Sequence, residues 1–363
     1  MAPRASTTRT PSLERNRLPL ITPAGPADTQ QLSLFCDDDP PPPKRPRRIH
    51  PSVPDEPTTT DPTGLITEAD WLLLNSSGGK DSQAMKSHVV ALAAATGQLH
   101  KVVVVHASLA DIEWGGTESL ARRQSAMLDV PRFEVVQAQG DLLARTAARY
   151  AKLKAKALAE GKPVAPAWPS SSARWCTSDL KRGPIRTLMT RLTDERQGLR
   201  RPVRILNCLG QRAAESPHRR KLAPVEIDHA ASNGKRHITT WRPIHHWSEA
   251  AVWAEIARSG CPYHEAYEWG MSRLSCSFCV LGCEADVVLA ARLRPDKAAE
   301  YADMEIAVER DFKNGLSMRT IIARAAALDA EGRLARPPRG TAMARFVGKA
   351  VTREYLERLD LAA

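Results

Sequence analysis

The sequence predicts an α/β fold in which helices cover both faces of a parallel sheet, followed by a helical C-terminal extension. Four short apolar runs alternate with amphipathic stretches between residues 70 and 210, and the first two runs are nearly continuous in apolar residues. Strands of that kind are buried on both faces, which is typical of parallel sheets. A glycine-containing turn follows the first run, and such sheets bind ligands at the carboxyl ends of their strands.

The apolar runs predict strands at Trp71–Leu74, Val102–His106, Phe133–Val136 and Val203–Cys208. The amphipathic stretches predict helices at Ser82–Thr96, at about 116–129, at Asp141–Glu160 and at about 249–258. Residues 284–361 predict further helices, because they are rich in Ala, Arg, Leu and Glu. The chain is therefore divided into a tail at 1–62, an α/β domain with a cysteine cluster at 63–285, and a helical extension at 286–363.

The first 62 residues predict a disordered tail. They hold 14 of the 27 prolines, including the run PPPPKRPRR at 40–48, and they contain few apolar residues. Proline removes backbone donors and fixes φ, so a packed core is not expected here. The basic cluster Lys44–Arg48 lies beside the acidic run Asp37–Asp39, which favours a solvated spacer, with contact to nucleic acid as the alternative.

Composition excludes two classes of protein and predicts a cytoplasmic one. No run of about 18 uncharged apolar residues occurs, so a membrane-spanning helix is not expected. The opening MAPRASTTRT lacks the apolar segment of a secretory signal. Seven cysteines are an odd count, which argues against a disulfide scaffold.

The positive charge is concentrated in one stretch of the chain. The whole sequence has a net charge of +11, and residues 171–242 carry 16 Lys and Arg against 6 Asp and Glu, a net charge of +10. This stretch predicts an anionic partner, which could be a nucleotide phosphate, a sulfate group or a nucleic-acid backbone.

The turn after the first strand predicts an anion site. Its sequence is Ser76-Ser77-Gly78-Gly79-Lys80-Asp81-Ser82. The glycines allow close approach of the backbone to an anion, and the following helix presents free N–H groups. The candidate ligand-binding residues are Ser77, Gly78, Gly79, Lys80, Asp81 and Ser82, and the alternative is a tight turn without a ligand.

Three further segments indicate which kind of nucleotide-binding protein the glycine turn belongs to. They are His106-Ala107-Ser108-Leu109 at the end of the second strand, Arg174-Trp175-Cys176-Thr177 leading to Leu180-Lys181, and Gly210-Gln211-Arg212 followed by Glu215, Ser216 and Arg219. With the glycine turn, they resemble the phosphoadenosine phosphosulfate reductase family of the adenine nucleotide alpha-hydrolase-like superfamily, whose SGGxDS loop binds pyrophosphate. The resemblance spans about residues 70–285 and implies a Rossmann-like parallel sheet.

The resemblance also implies roles for individual residues. Lys181, Arg212 and Arg219 would surround the phosphate or sulfate end of the nucleotide, and Glu215 would orient the arginines. Gly210 and Ser216 would complete that segment, and His106 would lie on the adenosine side. The implied catalytic residues are Lys80, Asp81 and Arg212, with Asp81 placing Mg²⁺. The implied ligand is ATP or phosphoadenosine phosphosulfate.

The cysteines predict a metal centre. Cys276 and Cys279 form a C-x-x-C pair, and Cys283 follows four residues later. Relatives in the family complete such a set with a distant cysteine in the segment that contains Cys176. The expected ligands of an iron–sulfur cluster, with zinc as the alternative, are therefore Cys176, Cys276, Cys279 and Cys283, with Cys261 in reserve for the fourth. The competing interpretation is one apolar face of a helix, because positions 276, 279 and 283 have helical spacing.

Three functions follow from these features. The first is cleavage of ATP between its α and β phosphates, coupled to sulfur transfer to an acceptor such as DNA or tRNA. The second is a reductase of phosphoadenosine phosphosulfate or adenosine phosphosulfate, although the last 80 residues lack the cysteine nucleophile of such reductases. The third is a nucleic-acid-binding accessory protein with a regulatory nucleotide loop. The sequence predicts no oligomeric state.

Overall fold

The computed structural model describes residues 50–332 and 337–361. The predicted disordered tail at 1–62 lies mostly outside the described residues. None of the helices within the described ranges combines the length and apolar character that crossing a membrane requires.

A six-stranded sheet forms the centre of the fold. Its strands are β1 (Trp71–Asn75), β2 (Val102–Ser108), β3 (Phe133–Gln137), β4 (Val203–Cys208), β5 (Val225–Ile227) and β6 (Arg236–Trp241). Their order across the sheet is β3-β2-β1-β4-β6-β5, and every pairing is parallel except that of β5 with β6. The chain therefore builds outward from β1 in both directions, which creates a switch point between β1 and β4.

Helices connect the strands and follow them. The first eight are α1 (Pro62–Glu68), α2 (Lys80–Ala95), α3 (Thr117–Met127), α4 (Leu142–Glu160), α5 (Trp175–Thr177), α6 (Gly183–Asp194), α7 (Pro217–Arg220) and α8 (Glu249–Ser259). A π-helical turn, Ser178–Arg182, joins α5 to α6. The C-terminal helices are α9 (Glu284–Leu293), α10 (Pro295–Ala307), α11 (Met318–Ala330) and α12 (Thr341–Leu361).

Both faces of the sheet are buried, as the continuous apolar strands predict. Leu72 and Leu74 of β1 belong to a core cluster with residues of α2 and α8. Leu73 belongs to a second cluster with residues of α6, because successive side chains of a strand point to opposite faces. The predicted α/β class is therefore confirmed, and the four predicted strands are β1 to β4.

A buried lysine joins α2 to α3. Lys86 is 0 % exposed, and its amine donates to the carbonyl of Ala121 at 3.2 Å, to Oε1 of Gln124 at 3.0 Å and to the hydroxyl of Ser125 at 3.3 Å. Burial lowers the pKa of Lys86 to about 7. The folded protein therefore favours the neutral amine at pH values where the unfolded chain still carries the proton.

We expect Lys86 to make the folded protein more stable as the pH rises from about 7 toward 10. In that window the unfolded chain binds more protons at this position, so the free energy of unfolding should rise by up to about 1.4 kcal/mol per pH unit. Urea unfolding of wild type and Lys86→Met at neutral and alkaline pH measures this contribution. A wild-type-minus-variant difference that does not change with pH would contradict it.

Candidate functional site

The glycine loop, residues Ser76–Ser82, joins the end of β1 to the start of α2 beside the switch point of the sheet. Gly78 has a φ of +73°, and a Cβ atom there would lie 2.5 Å from Cγ2 of Thr117 at the start of α3. The Ser82 hydroxyl accepts the N–H of Ser77 at 3.1 Å. The loop is therefore a tight turn at the N-terminus of a 16-residue helix, where an anion is favoured.

Lys80 lies beneath this loop. Its side chain is buried (the residue is 4 % exposed), and its Nζ donates to the carbonyl of Ser272 at 3.1 Å and lies 3.4 Å from Oε1 of Glu249. The ring of Tyr267 faces the same Nζ at 5.3 Å, and its Oη accepts the N–H of Lys80 at 2.9 Å. These contacts fasten the loop to the segment that follows α8, so Lys80 is placed as a supporting residue.

The end of β4 meets the glycine loop through Gly210 and Arg212. A Cβ atom on Gly210 would lie 2.7 Å from both the carbonyl oxygen of Asp81 and the Cα of Ser82, so only glycine fits there. Arg212 is 5 % exposed, and its Nε donates to Oδ1 of Asp81. The Oδ2 atom of Asp81 lies 3.7 Å from Nζ of Lys80.

The Asp81 carboxylate therefore forms ion pairs with two cations, Arg212 and Lys80. A Mg²⁺ ion ligated directly by this carboxylate would have to displace Arg212 or Lys80, whereas one held by phosphate oxygens and water would not. Direct ligation of Mg²⁺ by Asp81 does not fit this arrangement of charges, and placement of the ion through water stays a prediction.

A second arginine follows at α7. The carboxylate of Glu215 accepts the backbone N–H of Arg212 at 2.8 Å and forms an ion pair with Arg219. Ser216 caps α7 by accepting the N–H of Arg219 at 3.2 Å. His245 also supports this turn, because its Nε2 lies 3.0 Å from the carbonyl oxygen of Arg219. Residues 212–219 are thus held by contacts among themselves and with His245, and Arg219 stays partly exposed.

His106 lies behind the glycine loop. It is 1 % exposed, with Nδ1 at 2.9 Å from the carbonyl oxygen of Ser76 and Nε2 at 3.1 Å from Oε2 of Glu113. Burial by itself would lower the pKa of His106, but the Glu113 carboxylate and the Ser76 carbonyl raise it above its ordinary value. The ring therefore supports the loop from below.

A cleft opens at the carboxyl end of β2, beside the loop. Its volume is ≈ 690 Å³, which lies within the range of ligand sites. Its lining includes Ser108, Glu113, Trp114, Gly116, Arg123 and Arg294. Residues of α3 form one wall of the cleft, and Thr117 of this helix contacts Gly78 of the glycine loop.

Cys276 and Cys279 form a pair of thiols that contact each other. The hydrogen bond from Cys276 to Cys279 raises the pKa of Cys276 and lowers that of Cys279, and the nearby charges of Arg273 and Lys181 lower the pKa of Cys279 further. Cys176 of α5 lies close enough to interact electrostatically with both. Burial raises the pKa of the Cys176 thiol.

Of the four predicted metal ligands, Cys276 and Cys279 contact each other and Cys176 lies within electrostatic range of both. Cys283 is exposed at the start of α9, and Cys261 is buried elsewhere, with its Sγ 3.9 Å from the carbonyl oxygen of Gln124. Within residues 50–332 and 337–361, no group of three or more His, Cys, Asp or Glu side chains is placed to hold a metal ion. The predicted four-cysteine metal centre therefore stays a prediction.

The expected helix through the C-x-x-C pair is wrong. Residues 276–283 are turns and bends, and α9 begins only at Glu284. The reason is a β-bridge between Cys276 and Glu113, which keeps the backbone extended at the first cysteine. That bridge also places the thiol pair next to the residue that holds His106.

The segment from 272 to 279 connects the thiols to the glycine loop. Ser272 is fixed by Asp286 of α9, which accepts its N–H at 2.9 Å and its hydroxyl at 2.7 Å. A Cβ atom on Gly79 would lie 3.4 Å from Cβ of Leu274, so this segment packs directly on the loop. Tyr267 accepts the N–H of Leu274 at 3.3 Å.

A sequence model of the phosphoadenosine phosphosulfate reductase domain matches residues 145–284. The matched segment contains Arg212, Arg219 and the cysteines Cys176, Cys276 and Cys279, and it begins after the glycine loop. An uncharacterized 37.8 kDa protein of Escherichia phage 186 is 27% identical over 150 residues, which are 41% of this chain and 42% of that protein. Adenosine 5'-phosphosulfate reductase of Neisseria meningitidis serogroup B is 36% identical over 70 residues, 19% of this chain and 26% of that enzyme.

The chain spans less than half the length of these curated relatives. Among solved structures, phosphoadenylyl-sulfate reductase from Candida auris is similar with a TM-score of 0.37 and 16% identity, over 60% of this chain and 88% of that one. Candida glabrata FMN adenylyltransferase is similar with a TM-score of 0.35 and 13% identity, over 59% and 60% of the two chains. The domain match agrees with the motifs found in the sequence, and residues 145–284 are similar to the phosphoadenosine phosphosulfate reductase domain.

Proposed function

We propose that this chain is an enzyme that binds an adenine nucleotide ending in a sulfate group and reduces that sulfate with a pair of cysteine thiols. The observation that carries the proposal is the position of Cys276 and Cys279. They lie on the segment that packs against the glycine loop through Leu274. The matched domain and the relative described as an adenosine 5'-phosphosulfate reductase support the same substrate class.

The nucleotide would lie across the carboxyl ends of β1, β2 and β4. The cleft at the end of β2 has room for the adenosine. The glycine loop offers backbone N–H groups to the phosphate, and Arg219 and Lys181 offer charge-assisted hydrogen bonds to the sulfate end. In this arrangement Lys80, Asp81 and Arg212 hold the loop in position.

The reduction needs two thiols and proceeds in two steps. The Sγ of Cys279 attacks the sulfate sulfur, the S–O bond to the phosphate breaks, and the nucleotide leaves with that oxygen. The Sγ of Cys276 then loses its proton and attacks Cys279, so that a disulfide forms and sulfite leaves with the electron pair. The two thiols lose two electrons and the sulfur gains two. An external dithiol must reduce the disulfide before the next turnover.

A second candidate is cleavage of ATP between its α and β phosphates, coupled to sulfur transfer. The glycine loop favours it, because a Ser-Gly-Gly turn at a helix N-terminus suits pyrophosphate. Such cleavage depends on Mg²⁺ beside the pyrophosphate, and the ion pairs of Asp81 leave that ion to the phosphate oxygens and water. For this candidate, the iron–sulfur cluster or zinc centre, the DNA or tRNA acceptor and the cytoplasmic location all stay predictions.

Titration calorimetry separates the two candidates. We expect anaerobically purified protein to bind adenosine phosphosulfate or phosphoadenosine phosphosulfate more tightly than Mg·ATP, and to release sulfite when a dithiol is present. Arg219→Ala should weaken this binding by about tenfold, the loss of one charge-assisted contact. Arg200→Ala, on an exposed residue before β4, is the matched control. Tighter binding of Mg·ATP with release of pyrophosphate would contradict the reductase and establish the second candidate.

A further inference from the structure

The positive charge of residues 171–242 is divided between the two ends of the sheet. Arg212 and Arg219 follow the carboxyl end of β4, whereas Arg196 and Arg200 precede its amino end. Lys235 immediately precedes β6, which runs parallel to β4 in the register Val203↔Arg236. A strand of six residues is about 20 Å long, so the second set of charges lies far from the glycine loop. A nucleotide in that loop leaves this second set without a ligand.

The second set lines a groove of ≈ 550 Å³, here called the amino-edge groove. It is formed by residues 193–203, without 195, and by 234 and 235. Arg201 is neutralised there by Asp70, which accepts from its two terminal nitrogens at 2.7 and 2.8 Å. Within the described part of the chain, no carboxylate lies within ion-pair distance of Arg196, Arg200 or Lys235. The groove, whose lining also includes Asp194, therefore keeps three cations without an ion-pair partner among the described residues.

The guanidinium of Arg196 is held in place and keeps a free hydrogen-bond donor for a ligand. Its guanidinium stacks on the ring of Trp71 at 4.4 Å, and its buried Nε has no hydrogen-bond partner among the described residues. Lys101 continues the positive charge to the start of β2. Burial lowers the pKa of Lys101, the Asp70 carboxylate opposes this shift, and the charges of Arg196 and Arg201 add to it.

The cations form a row along the amino edge of the sheet. Lys235 stands before β6, Arg196 and Arg200 before β4, and Lys101 before β2. The strands β2 and β6 are three spacings apart, about 14 Å. A single sulfate or phosphate is held by donors that converge on one point, whereas a row of this length matches an anion that repeats along a chain.

We propose that the amino-edge groove binds the phosphate backbone of a nucleic acid. The groove contains a row of cations without ion-pair partners in residues 50–332 and 337–361, and the guanidinium of Arg196 stacked on Trp71. It lies at the end of the sheet opposite the glycine loop. Contacts of this kind fix a nucleic acid by its backbone without reading its sequence. The proposal does not depend on the chemistry at the thiol pair.

Fluorescence anisotropy of a labelled DNA duplex over a range of salt concentrations tests this surface. The triple variant Arg196→Ala/Arg200→Ala/Lys235→Ala should lose at least about tenfold in affinity at low salt, and the slope of log affinity against log salt should fall by about 2.7, three contacts at about 0.9 each. Sulfonucleotide titration should be unchanged in the same variant. The matched control Lys152→Ala/Lys156→Ala/Lys349→Ala removes the same charge from exposed positions on α4 and α12.

The outcomes decide the proposal. A loss confined to the groove variant supports it. Equal losses in both triple variants show attraction by net charge alone and overturn it, as does a wild type that binds heparin but no nucleic acid. Thermal unfolding of each variant checks that the fold is intact, and a single-stranded RNA of equal length shows whether the groove distinguishes RNA from duplex DNA.

Discussion

Cys279→Ser is expected to abolish sulfite release, by at least about a thousandfold, while sulfonucleotide binding persists. Serine keeps the shape of the side chain, but its hydroxyl does not ionise at neutral pH and cannot attack sulfur as a thiolate does. Single-turnover assays with adenosine phosphosulfate measure the loss, and calorimetry measures the retained binding. Cys276→Ser should stop the reaction after the first step and leave a sulfonated Cys279 that mass spectrometry detects.

Cys283→Ser is the matched control for the thiol pair. Its side chain is exposed at the start of α9, so full activity is expected. Two results would contradict the dithiol mechanism. One is a Cys279→Ser variant that still releases sulfite. The other is purified wild-type protein that carries stoichiometric iron and the visible absorbance of an iron–sulfur cluster.

Gly210→Ala is expected to weaken nucleotide binding by more than about tenfold, or 1.4 kcal/mol. The added Cβ would lie 2.7 Å from the carbonyl oxygen of Asp81 and from the Cα of Ser82. Both atoms belong to the backbone, so the glycine loop itself must move away from β4. Calorimetric titration of the variant with the sulfonucleotide measures the effect.

Gly97→Ala controls for the general cost of replacing a glycine. Gly97 has a φ of +68° beyond the end of α2, and a Cβ there meets nothing within 4 Å. This variant should lose about 1 kcal/mol of stability and retain nucleotide affinity. If Gly210→Ala behaves in the same way, the close approach of β4 to the loop has no role in binding.

The sequence predicts the strands β1 to β4 and does not predict β5 and β6. The strands β1 to β4 are visible because each is a short run rich in apolar residues, and no helical period competes with them. The strand β5 has three residues, and β6 reads Arg-His-Ile-Thr-Thr-Trp, so neither contains a continuous apolar run. Pairing with β4 makes β6 a strand, which is a tertiary effect that a local pattern does not contain.

In the candidate site too, residues marked by local motifs are predicted and residues joined by long-range contacts are not. The glycine loop, Gly210 and Arg212 are visible because their short motifs follow predicted strands. Tyr267 was missed, because its contact with Lys80 joins residues 187 positions apart and no local signal marks it. The sequence also could not show that the Lys80 amine points beneath the loop, since a lysine at a helix start can face the ligand or the core.

The two outer strands limit how copies of this protein can associate. The strand β5 is antiparallel and three residues long, so it offers few free N–H and C=O groups to an incoming strand. At the other edge, Glu134 of β3 forms ion pairs with Arg132 and Arg191. Charged side chains on an edge strand oppose the addition of a further strand. A continuous sheet shared between two copies is therefore disfavoured, and self-association would have to use the helices.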